Sequence, residues 1–222
     1  MSKASLTADL LESVPDVRPS EQVIADGAVL LRGFAKTSEI ELLKALRAIL
    51  EQAPFRHMTT PGGHQMSVAM TNCGGVGWVT DRGGYRYDPN DPQSGKPWPP
   101  MPSAFRELAR TAADRAGFAG FAPDACLVNR YQPGARMSLH QDRDENDFSA
   151  PIVSVSLGLP ATFLFGGLKR SDKPRRFRLE HGDVIVWGGP ARLAFHGIAP
   201  LVEGEHSLLG RQRINLTFRK AH

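Results

Sequence analysis

The chain has 222 residues, a length that suits one domain with a sizeable core, or a core with a small appendage. Hydrophobic residues make up 41% of it and charged residues 23%, which is typical of a globular protein in water. The formal net charge of +4 favours nucleic acid as a partner only weakly, because a mildly basic enzyme has the same balance.

Cysteine content and the N-terminal sequence exclude two other classes of protein. The two cysteines, Cys73 and Cys126, form neither a disulfide framework nor a C-x-x-C zinc pair, so reduced thiols are expected. Residues 1–22 contain no long apolar core of the kind that a secretion signal needs, and no apolar run reaches membrane-spanning length. We therefore expect a cytoplasmic protein that does not enter the membrane.

The N-terminal part of the chain begins with a predicted flexible arm, residues 1–22. The stretch GAVLLRGF, 27–34, predicts a short strand. Residues 37–52, TSEIELLKALRAILEQ, carry apolar side chains at helical spacing and predict an amphipathic helix. Ser38, followed by Glu41 three residues later, predicts a capping box at the start of that helix.

A segment rich in Gly and Pro, about 57–100, follows the first helix. Long irregular segments of this kind are usually lids, binding loops or linkers, and the aromatic residues here argue against plain disorder. Within the segment, QMSVAMT at 65–71 predicts a short strand. Residues 102–117 predict a second helix, and Gly117 suits its C-terminal cap.

After Pro123 the pattern changes to about seven short strand candidates separated by turn residues, which favours a sandwich or a barrel-like double sheet. The predicted fold class is mainly β with flanking helices (α+β). We expect the flexible arm 1–22, an N-terminal extension 23–122 that carries both helices and the lid (about 57–100), and a β jelly-roll core 123–222. Together they would form one compact catalytic unit.

The stretch SLHQDRDE places His140 and Asp142 two residues apart, so both side chains can share one face of a strand. His196, in FHGI on a later strand candidate, is a third possible ligand. Two histidines and one carboxylate on one side of a metal are the facial triad of non-haem Fe(II) oxygenases. The same set can hold a hydrolytic zinc, and a His-x-Asp pair also occurs often by chance.

The last strand candidate, RINLTFR, alternates polar and apolar residues. One face carries Arg213, Asn215, Thr217 and Arg219, and the other carries Ile214, Leu216 and Phe218. If the polar face lines a barrel, the two guanidinium groups need acidic partners, because a lone buried charge is very costly. A dicarboxylate ligand would supply them, and Asn129 and Tyr131 of VNRY would add polar contacts. The alternative is a half-exposed strand whose arginines lie in water.

Several longer blocks accompany these motifs: TPGG, MSVAMTNCG, PDACLVNRYQPGA, PIVSVSLGLPATFLFGGLKR and LEHGDVIVWGG. With them, the chain resembles the AlkB family of Fe(II)- and 2-oxoglutarate-dependent dioxygenases from about Gly27 to Arg219. The resemblance implies a double-stranded β-helix, or jelly roll, that carries an N-terminal nucleotide-recognition lid.

The resemblance also implies a set of cofactor contacts. The implied iron ligands are His140, Asp142 and His196. The implied contacts to 2-oxoglutarate are Arg213 and Tyr131 at its distal carboxylate, and Asn129, Asn215 and Arg219 about the carboxylate that chelates the metal.

The implied reaction is oxidative demethylation with O₂ and 2-oxoglutarate as co-substrates. An N-methyl group of a damaged base is hydroxylated and leaves as formaldehyde, while succinate and CO₂ are released. The implied substrates are 1-methyladenine and 3-methylcytosine in single- or double-stranded DNA, and also in RNA. A monomer is expected.

A base must leave the stack to reach a buried metal, and it then needs flat surfaces on which to stack. By resemblance, Trp78 supplies one face and His140 the other. Tyr85, Thr60 and Ser67 would contact the phosphate backbone. Without the family, Trp78 and Tyr85 equally suit a lid core packed on the sheet.

Asp144 is implied as a contact to the exocyclic amino group of the target base, and Arg170 would approach the same pocket. A methylated adenine or cytosine is cationic, so a nearby carboxylate favours it by charge as well. The alternative for Asp144 is a solvated turn carboxylate. The charged residues that follow it predict a surface turn.

Two other functions compete with base demethylation. A dioxygenase of the same fold could act on a small molecule or a protein, and a catalytically silent module could bind nucleic acid through a vestigial barrel. The intact triad and both arginines argue against the silent module. Loss of a methyl group from a 1-methyladenine oligonucleotide would separate the demethylase from both.

Overall fold

The computed structural model describes residues 19–222. Residues 1–18, which make up most of the predicted arm, lie outside the described residues. Strand β1 (Glu21–Ala25) already includes the last two residues of that predicted arm. The two helices are α1 (Glu39–Gln52) and α2 (Ser103–Arg115), close to their predicted bounds.

Eight antiparallel strands form the larger sheet. In spatial order they are β1, β2 (Ala28–Leu31), β12 (Val184–Trp187), β9 (Ile152–Gly158), β14 (Arg213–Arg219), β7 (Ala125–Tyr131), β4 (Gln65–Gly74) and β3 (Arg56–Thr59). Strands from both sides of residue 123 therefore share one sheet.

Two smaller sheets complete the β structure of residues 19–222. The four-stranded sheet has the order β11 (Arg175–Leu179), β10 (Ala161–Phe165), β13 (His196–Ile198) and β8 (Met137–His140). The hairpin consists of β5 (Gly77–Asp81) and β6 (Gly84–Asp88). The two larger sheets face each other as in a jelly roll, so the predicted fold class, mainly β with flanking helices, is confirmed.

Two apolar layers hold the fold together. One lies between the two larger sheets and includes Phe163, Phe165, Ile185 and Trp187. The other lies between the larger sheet and the two helices. Strand β14 serves both sides, since its apolar residues pack under the helices while its polar residues line a pocket between the sheets.

The ends of the two helices differ in how well the sequence predicts them. The predicted capping box is wrong, because Ser38 makes no side-chain capping bond and a 3₁₀ turn (Lys36–Ser38) leads directly into α1. The predicted cap at Gly117 is confirmed. Gly117 has φ +88°, and the N–H of Phe118 donates to the carbonyl of Ala113 at 2.8 Å, as in a Schellman motif.

The segment 57–100 is more regular than its composition predicts. Strands β3 and β4 join the larger sheet, and β5 and β6 form the hairpin beside it. The loop after β6 is tied down by an ion pair of 2.5 Å between Arg56 and Asp91 and by the guanidinium of Arg56 over the Trp98 ring. Neither α1 nor α2 nor any other helix within residues 19–222 is long and apolar enough to cross a membrane.

Candidate metal centre and adjoining pocket

Two histidines meet across neighbouring strands of the smaller sheet. His140 on β8 and His196 on β13 are register partners, and their ring centroids lie 4.4 Å apart. The carboxylate of Asp142 faces both rings, with its oxygens 3.6 Å from Nε2 of His140 and 3.7 Å from Nε2 of His196. One ligand atom from each residue can be chosen so that all lie within 4.8 Å of one another. The predicted triad is thus brought together.

The hydrogen bonds of the two rings fix the nitrogen that faces the centre. Nδ1 of His140 lies 2.9 Å from the carbonyl oxygen of Ser138, and Nδ1 of His196 lies 3.0 Å from that of Ala194. A carbonyl can only accept, so Nδ1 carries the proton and Nε2 keeps a free lone pair in each neutral imidazole.

The protonation states also suit a cation. Burial lowers the pKa of His196 to about 4, so the ring is neutral near pH 7. Burial would raise the pKa of Asp142, but Arg219 and the two histidines outweigh it and hold that pKa well below its ordinary value. Two imidazole nitrogens and one carboxylate are the donor set that Fe(II) prefers in a facial triad, so these residues fit the metal.

Strand alternation does not explain the position of Asp142, because β8 ends at His140. Two arginines hold this residue instead. Nη1 of Arg192 donates to its backbone carbonyl at 2.8 Å. Nε and Nη2 of Arg219 donate to its Oδ2 at 2.9 and 2.6 Å. Arg219 therefore has an acidic partner within the protein, so its charge does not require the dicarboxylate ligand that the sequence suggested.

Arg213, on the same face of β14, forms no ion pair with an acidic residue of the part of the chain that the structure describes. Its side chain is 1% exposed, and Nη2 donates to Ser156 Oγ at 3.0 Å, whereas Nε and Nη1 have no hydrogen-bond partner. Burial lowers the pKa of this guanidinium, and Tyr131, whose ring lies 5.1 Å from Arg213 Cζ, opposes that shift. A buried cation with two unused donors fits a carboxylate-bearing ligand such as 2-oxoglutarate.

The other predicted pocket residues lie beside Arg213. Register pairing between β14 and β7 sets Arg213 opposite Tyr131 and Asn215 opposite Asn129. Asn129 donates to Asn215 at 3.2 Å, and its own side-chain oxygen has no partner. All four line one pocket together with Arg219 and both histidines.

Aromatic side chains of the β5–β6 hairpin contact the turn that follows β8. Trp78 and Tyr85 stack with their ring centroids 5.7 Å apart and their planes 20° apart. Nε1 of Trp78 donates to Asp144 Oδ2 at 2.7 Å. Asp144 is exposed, and this bond gives its carboxylate a defined position two residues beyond Asp142.

The remaining predicted substrate contacts bind backbone atoms. Ser67 Oγ donates to the carbonyl of Arg136 at 3.1 Å, and Nη1 of Arg170 donates to that of Leu139 at 2.9 Å, so both lie beside β8. Thr60 Oγ1 accepts from the N–H of His64 at 3.2 Å, within its own turn. The structure records no contact between Thr60 and the triad or pocket residues described above.

Three residues around the centre are missing from the sequence candidates: Tyr87, Glu145 and Arg192. The prediction of a surface turn after Asp144 is wrong at Glu145, whose carboxylate is buried against two arginines. Its partners come from distant parts of the chain, so local patterning carries no signal for it. Arg192 does have a sequence signal, because an arginine within the apolar stretch PARLAF is expected to be buried and to need a buried acidic partner.

Trp187 closes the inner side of the pocket. It is 1% exposed, its ring centroid lies 4.9 Å from that of His196, and its Nε1 has no hydrogen-bond partner. It is part of the core between the sheets and also lines the pocket.

This jelly roll, with its two histidines, one carboxylate and buried arginine, defines a 2OG-Fe(II) oxygenase. The family model of the 2OG-Fe(II) oxygenase superfamily matches residues 27–219. The chain is 57% identical to the alpha-ketoglutarate-dependent dioxygenase AlkB of Escherichia coli, over 96% of this chain and 98% of that protein. It is 50% identical to the AlkB homolog of Caulobacter vibrioides, over 90% and 93% of the two chains.

Among solved structures, OsALKBH1 matches with a TM-score of 0.79 and 29% identity, over 90% of this chain and 99% of that chain. The chain belongs to the AlkB family of Fe(II)- and 2-oxoglutarate-dependent dioxygenases. It is an enzyme that uses Fe(II), with 2-oxoglutarate and O₂ as co-substrates.

Proposed function

We propose that the enzyme is an oxidative demethylase that repairs 1-methyladenine and 3-methylcytosine in single- or double-stranded DNA, and also in RNA. One oxygen atom of O₂ enters a C–H bond of the N-methyl group, and the other enters succinate as 2-oxoglutarate loses CO₂. The N-hydroxymethyl group then gives up its O–H proton as the N–C bond breaks. Formaldehyde leaves, and the neutral base is restored.

Iron is assigned to His140, Asp142 and His196. When bound, Fe(II) supplies the open coordination positions at which 2-oxoglutarate and O₂ react. The chain keeps the ligands in the required state: the carbonyls of Ser138 and Ala194 hold both rings through Nδ1, and the low pKa of Asp142 keeps its carboxylate ionised.

The co-substrate is assigned to the pocket beside the metal. Arg213 and Tyr131 would bind the distal carboxylate of 2-oxoglutarate, while Asn129, Asn215 and Arg219 would lie about the carboxylate that chelates iron. The buried guanidinium of Arg213, with Nε and Nη1 unpaired beside the triad, is the single observation that carries this assignment. A carboxylate forms two parallel bonds with Nη2 and one of its neighbours, Nη1 or Nε, so such a ligand would satisfy one of the two unpaired nitrogens and share Nη2 with Ser156.

The target base is assigned to the space between Trp78 and His140. Stacking of a flipped base on an aromatic ring is worth about 1–3 kcal/mol. Asp144 would accept a hydrogen bond from the exocyclic amino group, and its charge favours a cationic methylated base. Tyr85 would contact the phosphate backbone beside the base.

Three further residues complete the proposed substrate contacts. Ser67 and Arg170 would act beside β8, where they already donate to the carbonyls of Arg136 and Leu139. Thr60 would contact phosphate from a neighbouring turn. We assign the lid to residues 57–100, with the β5–β6 hairpin as its moving part, and the jelly-roll core to residues 123–222, whose larger sheet is completed by β1 to β4. We further propose that the enzyme works as a monomer in the cytoplasm.

The decisive experiment uses the full chain with Fe(II), 2-oxoglutarate, ascorbate and a 1-methyladenine oligonucleotide. We expect the oligonucleotide to lose its methyl group by mass spectrometry, with formaldehyde formed in equal amount. Asp142→Ala is the negative control and should be inactive. Turnover of 2-oxoglutarate with the methyl group intact would instead favour a different substrate, and no turnover by iron-loaded protein would contradict the assignment.

A further inference from the structure

Glu145 is a buried carboxylate that none of the roles above uses. It is 6% exposed. The hydroxyl of Tyr87 donates to its Oε1 at 2.6 Å, and Nε of Arg219 lies 3.4 Å from the same oxygen. Nη2 of Arg192 lies 3.1 Å from Oε2. Removing such a charge from water is expensive, so its retention calls for a reason other than stability alone.

The charges around Glu145 balance only as a group. Asp142 and Glu145 carry two negative charges, and Arg192 and Arg219 carry two positive ones. Arg219 is shared, because it binds Asp142 Oδ2 through Nε and Nη2 while its Nε also faces Glu145. Any change in the charge of Asp142 therefore alters how strongly Arg219 is drawn to Glu145.

Tyr87 connects this group of four charged residues to the β5–β6 hairpin. It is the register partner of Trp78, so the two side chains lie on the same face of β5–β6. Trp78 binds Asp144 and Tyr87 binds Glu145, which gives two neighbouring bonds from the hairpin to two consecutive residues beyond Asp142. Burial raises the pKa of Tyr87, so its hydroxyl remains a donor at all working pH values.

We propose that Glu145 is a positioning residue that couples the β5–β6 hairpin to the metal centre through the chain of contacts Tyr87–Glu145–Arg219–Asp142. A divalent cation bound to the Asp142 carboxylate partly neutralises its negative charge, which weakens the ion pair between Asp142 and Arg219. Arg219 then binds Glu145 more strongly. The stronger ion pair with Arg219 restricts the movement of the Glu145 side chain. Because the hydroxyl of Tyr87 donates to Glu145, Tyr87 and its neighbour Trp78 are restricted as well. The hairpin becomes ordered for base stacking once the metal and 2-oxoglutarate are present. This inference rests on the metal and base assignments proposed above.

The test measures amide hydrogen exchange in the hairpin, residues 77–88, in the full-length protein. Mn(II), which is stable in air, and 2-oxoglutarate serve as the probes. In the wild type we expect the pair to slow exchange in the hairpin by about tenfold, a typical coupling between two sites. In Tyr87→Phe, Mn(II) and 2-oxoglutarate should bind within about twofold of the wild-type affinity, yet the slowing should disappear.

Glu145→Gln tests whether the negative charge of Glu145 is required, because glutamine has nearly the same shape without the charge. Its amide oxygen still accepts from Tyr87, but its attraction for Arg219 is lost, so we expect the slowing to be lost here as well. The matched control is Asp147→Asn, which makes the same chemical change at an exposed position of the same turn and should behave as the wild type. In turnover, Tyr87→Phe should raise KM for the oligonucleotide about fivefold and leave KM for 2-oxoglutarate unchanged, a split that general destabilisation would not give.

The outcomes are distinguishable. Suppose that the wild type binds Mn(II) and 2-oxoglutarate and demethylates the oligonucleotide. If the probes then do not slow hydrogen exchange in the hairpin, or slow it equally in Tyr87→Phe, the coupling is refuted and the proposed function stands. If the wild type binds neither probe, the metal site itself is refuted and the coupling with it.

Discussion

Arg213 is an uncommon arginine, since its guanidinium is almost fully buried and two of its three nitrogens lack partners. We expect Arg213→Met to raise the thermal stability of the enzyme without cofactors, because an uncompensated buried charge is replaced by an apolar chain. The same change should raise KM for 2-oxoglutarate about 10- to 100-fold, the loss of a charged hydrogen bond worth about 1.5–3 kcal/mol.

Calorimetry and a 2-oxoglutarate titration of the rate check both halves of this prediction. Arg211→Met is the matched control, because Arg211 is exposed and pairs with Glu203. A loss of stability together with an unchanged KM would show that Arg213 is a structural residue only.

Asp144 lies close to the metal ligands but is not one of them, and its carboxylate binds Trp78. We expect Asp144→Ala to raise KM for a 1-methyladenine oligonucleotide about tenfold, as for a lost charged hydrogen bond. Affinity for Mn(II) should stay the same, as measured by titration without substrate. Asp147→Ala serves as control in the same turn. If Asp144→Ala weakens Mn(II) binding as much as oligonucleotide binding, Asp144 does not act on the base alone.

At the scale of elements, the hairpin depends on close packing at Gly77. A Cβ at this position would lie 2.5 Å from the Trp98 ring and 2.7 Å from Asn72 Cβ. The Asn72 side chain holds both backbone polar groups of Trp78, at 3.0 and 3.1 Å. We expect Gly77→Ala to cost about 1–3 kcal/mol of unfolding free energy and to weaken oligonucleotide binding by displacing Trp78.

Thermal denaturation and fluorescence anisotropy measure these two effects. Gly75→Ala is the control, because its Cβ would make only an ordinary contact at 3.8 Å. A Gly77→Ala protein with normal binding would mean that Trp78 is positioned by other contacts.

The end of β14 is tied to the start of β7 through Asp124. Its carboxylate accepts from the N–H groups of Ala221 and His222 and from Lys220 Nζ at 2.6, 3.1 and 2.8 Å. Burial would raise the pKa of Asp124, but these three donors outweigh it and lower that pKa below its ordinary 3.8. The folded state thus gains stability above the unfolded pKa and loses it as pH falls from about 4 through the lower folded value.

We therefore expect the wild type to lose thermal stability on acidification faster than Asp124→Asn, which has no proton to take up. The comparison needs denaturation curves from pH 5 down to pH 3. If the thermal stabilities of the two proteins fall equally with pH, Asp124 does not contribute to the loss of stability in acid.

The sequence predicts elements better than it predicts the turns between them. Alternation in β14 separates Arg213 and Asn215 from Ile214 and Leu216 correctly, because a strand between two packed layers leaves only one arrangement of its faces. The cap at Gly117 is also predictable, since a positive φ favours glycine.

The turn after β8 could not be predicted from local pattern. Asp142 is placed by Arg192 and Arg219, which lie far along the chain, and Glu145 is buried by the same two side chains. Which residues of a charged run are buried depends on these distant partners. Its spacing to His140 already made Asp142 a candidate ligand and the family resemblance made that role specific, whereas nothing in SLHQDRDE itself separates Glu145 from its exposed neighbours.

At the scale of the whole molecule, the larger sheet interleaves the two halves of the chain. Strand β7 pairs with β4, and β12 pairs with β2. The apolar faces of β9 and β14 pack under α1 and α2. We expect residues 123–222 alone not to fold, because these faces and edges would be exposed to water. Full-length protein should unfold in one cooperative transition.

Circular dichroism during heating compares the fragment with the full chain. A cooperative transition in the fragment would show that the jelly roll is an independent domain and that residues 23–122 are only attached to it.

The pairing of His140 with His196 has a consequence for how such enzymes can diversify. Ladder contacts between β8 and β13 set the distance between the two imidazoles, although β9 to β12 lie between them in the chain. The exposed loop from Leu168 to Lys173 joins β10 to β11 within that interval and carries Arg170. Residues can be inserted or removed there without altering the spacing of the ligands. The loop that we propose borders the target base is thus free to evolve while the two imidazoles stay in register.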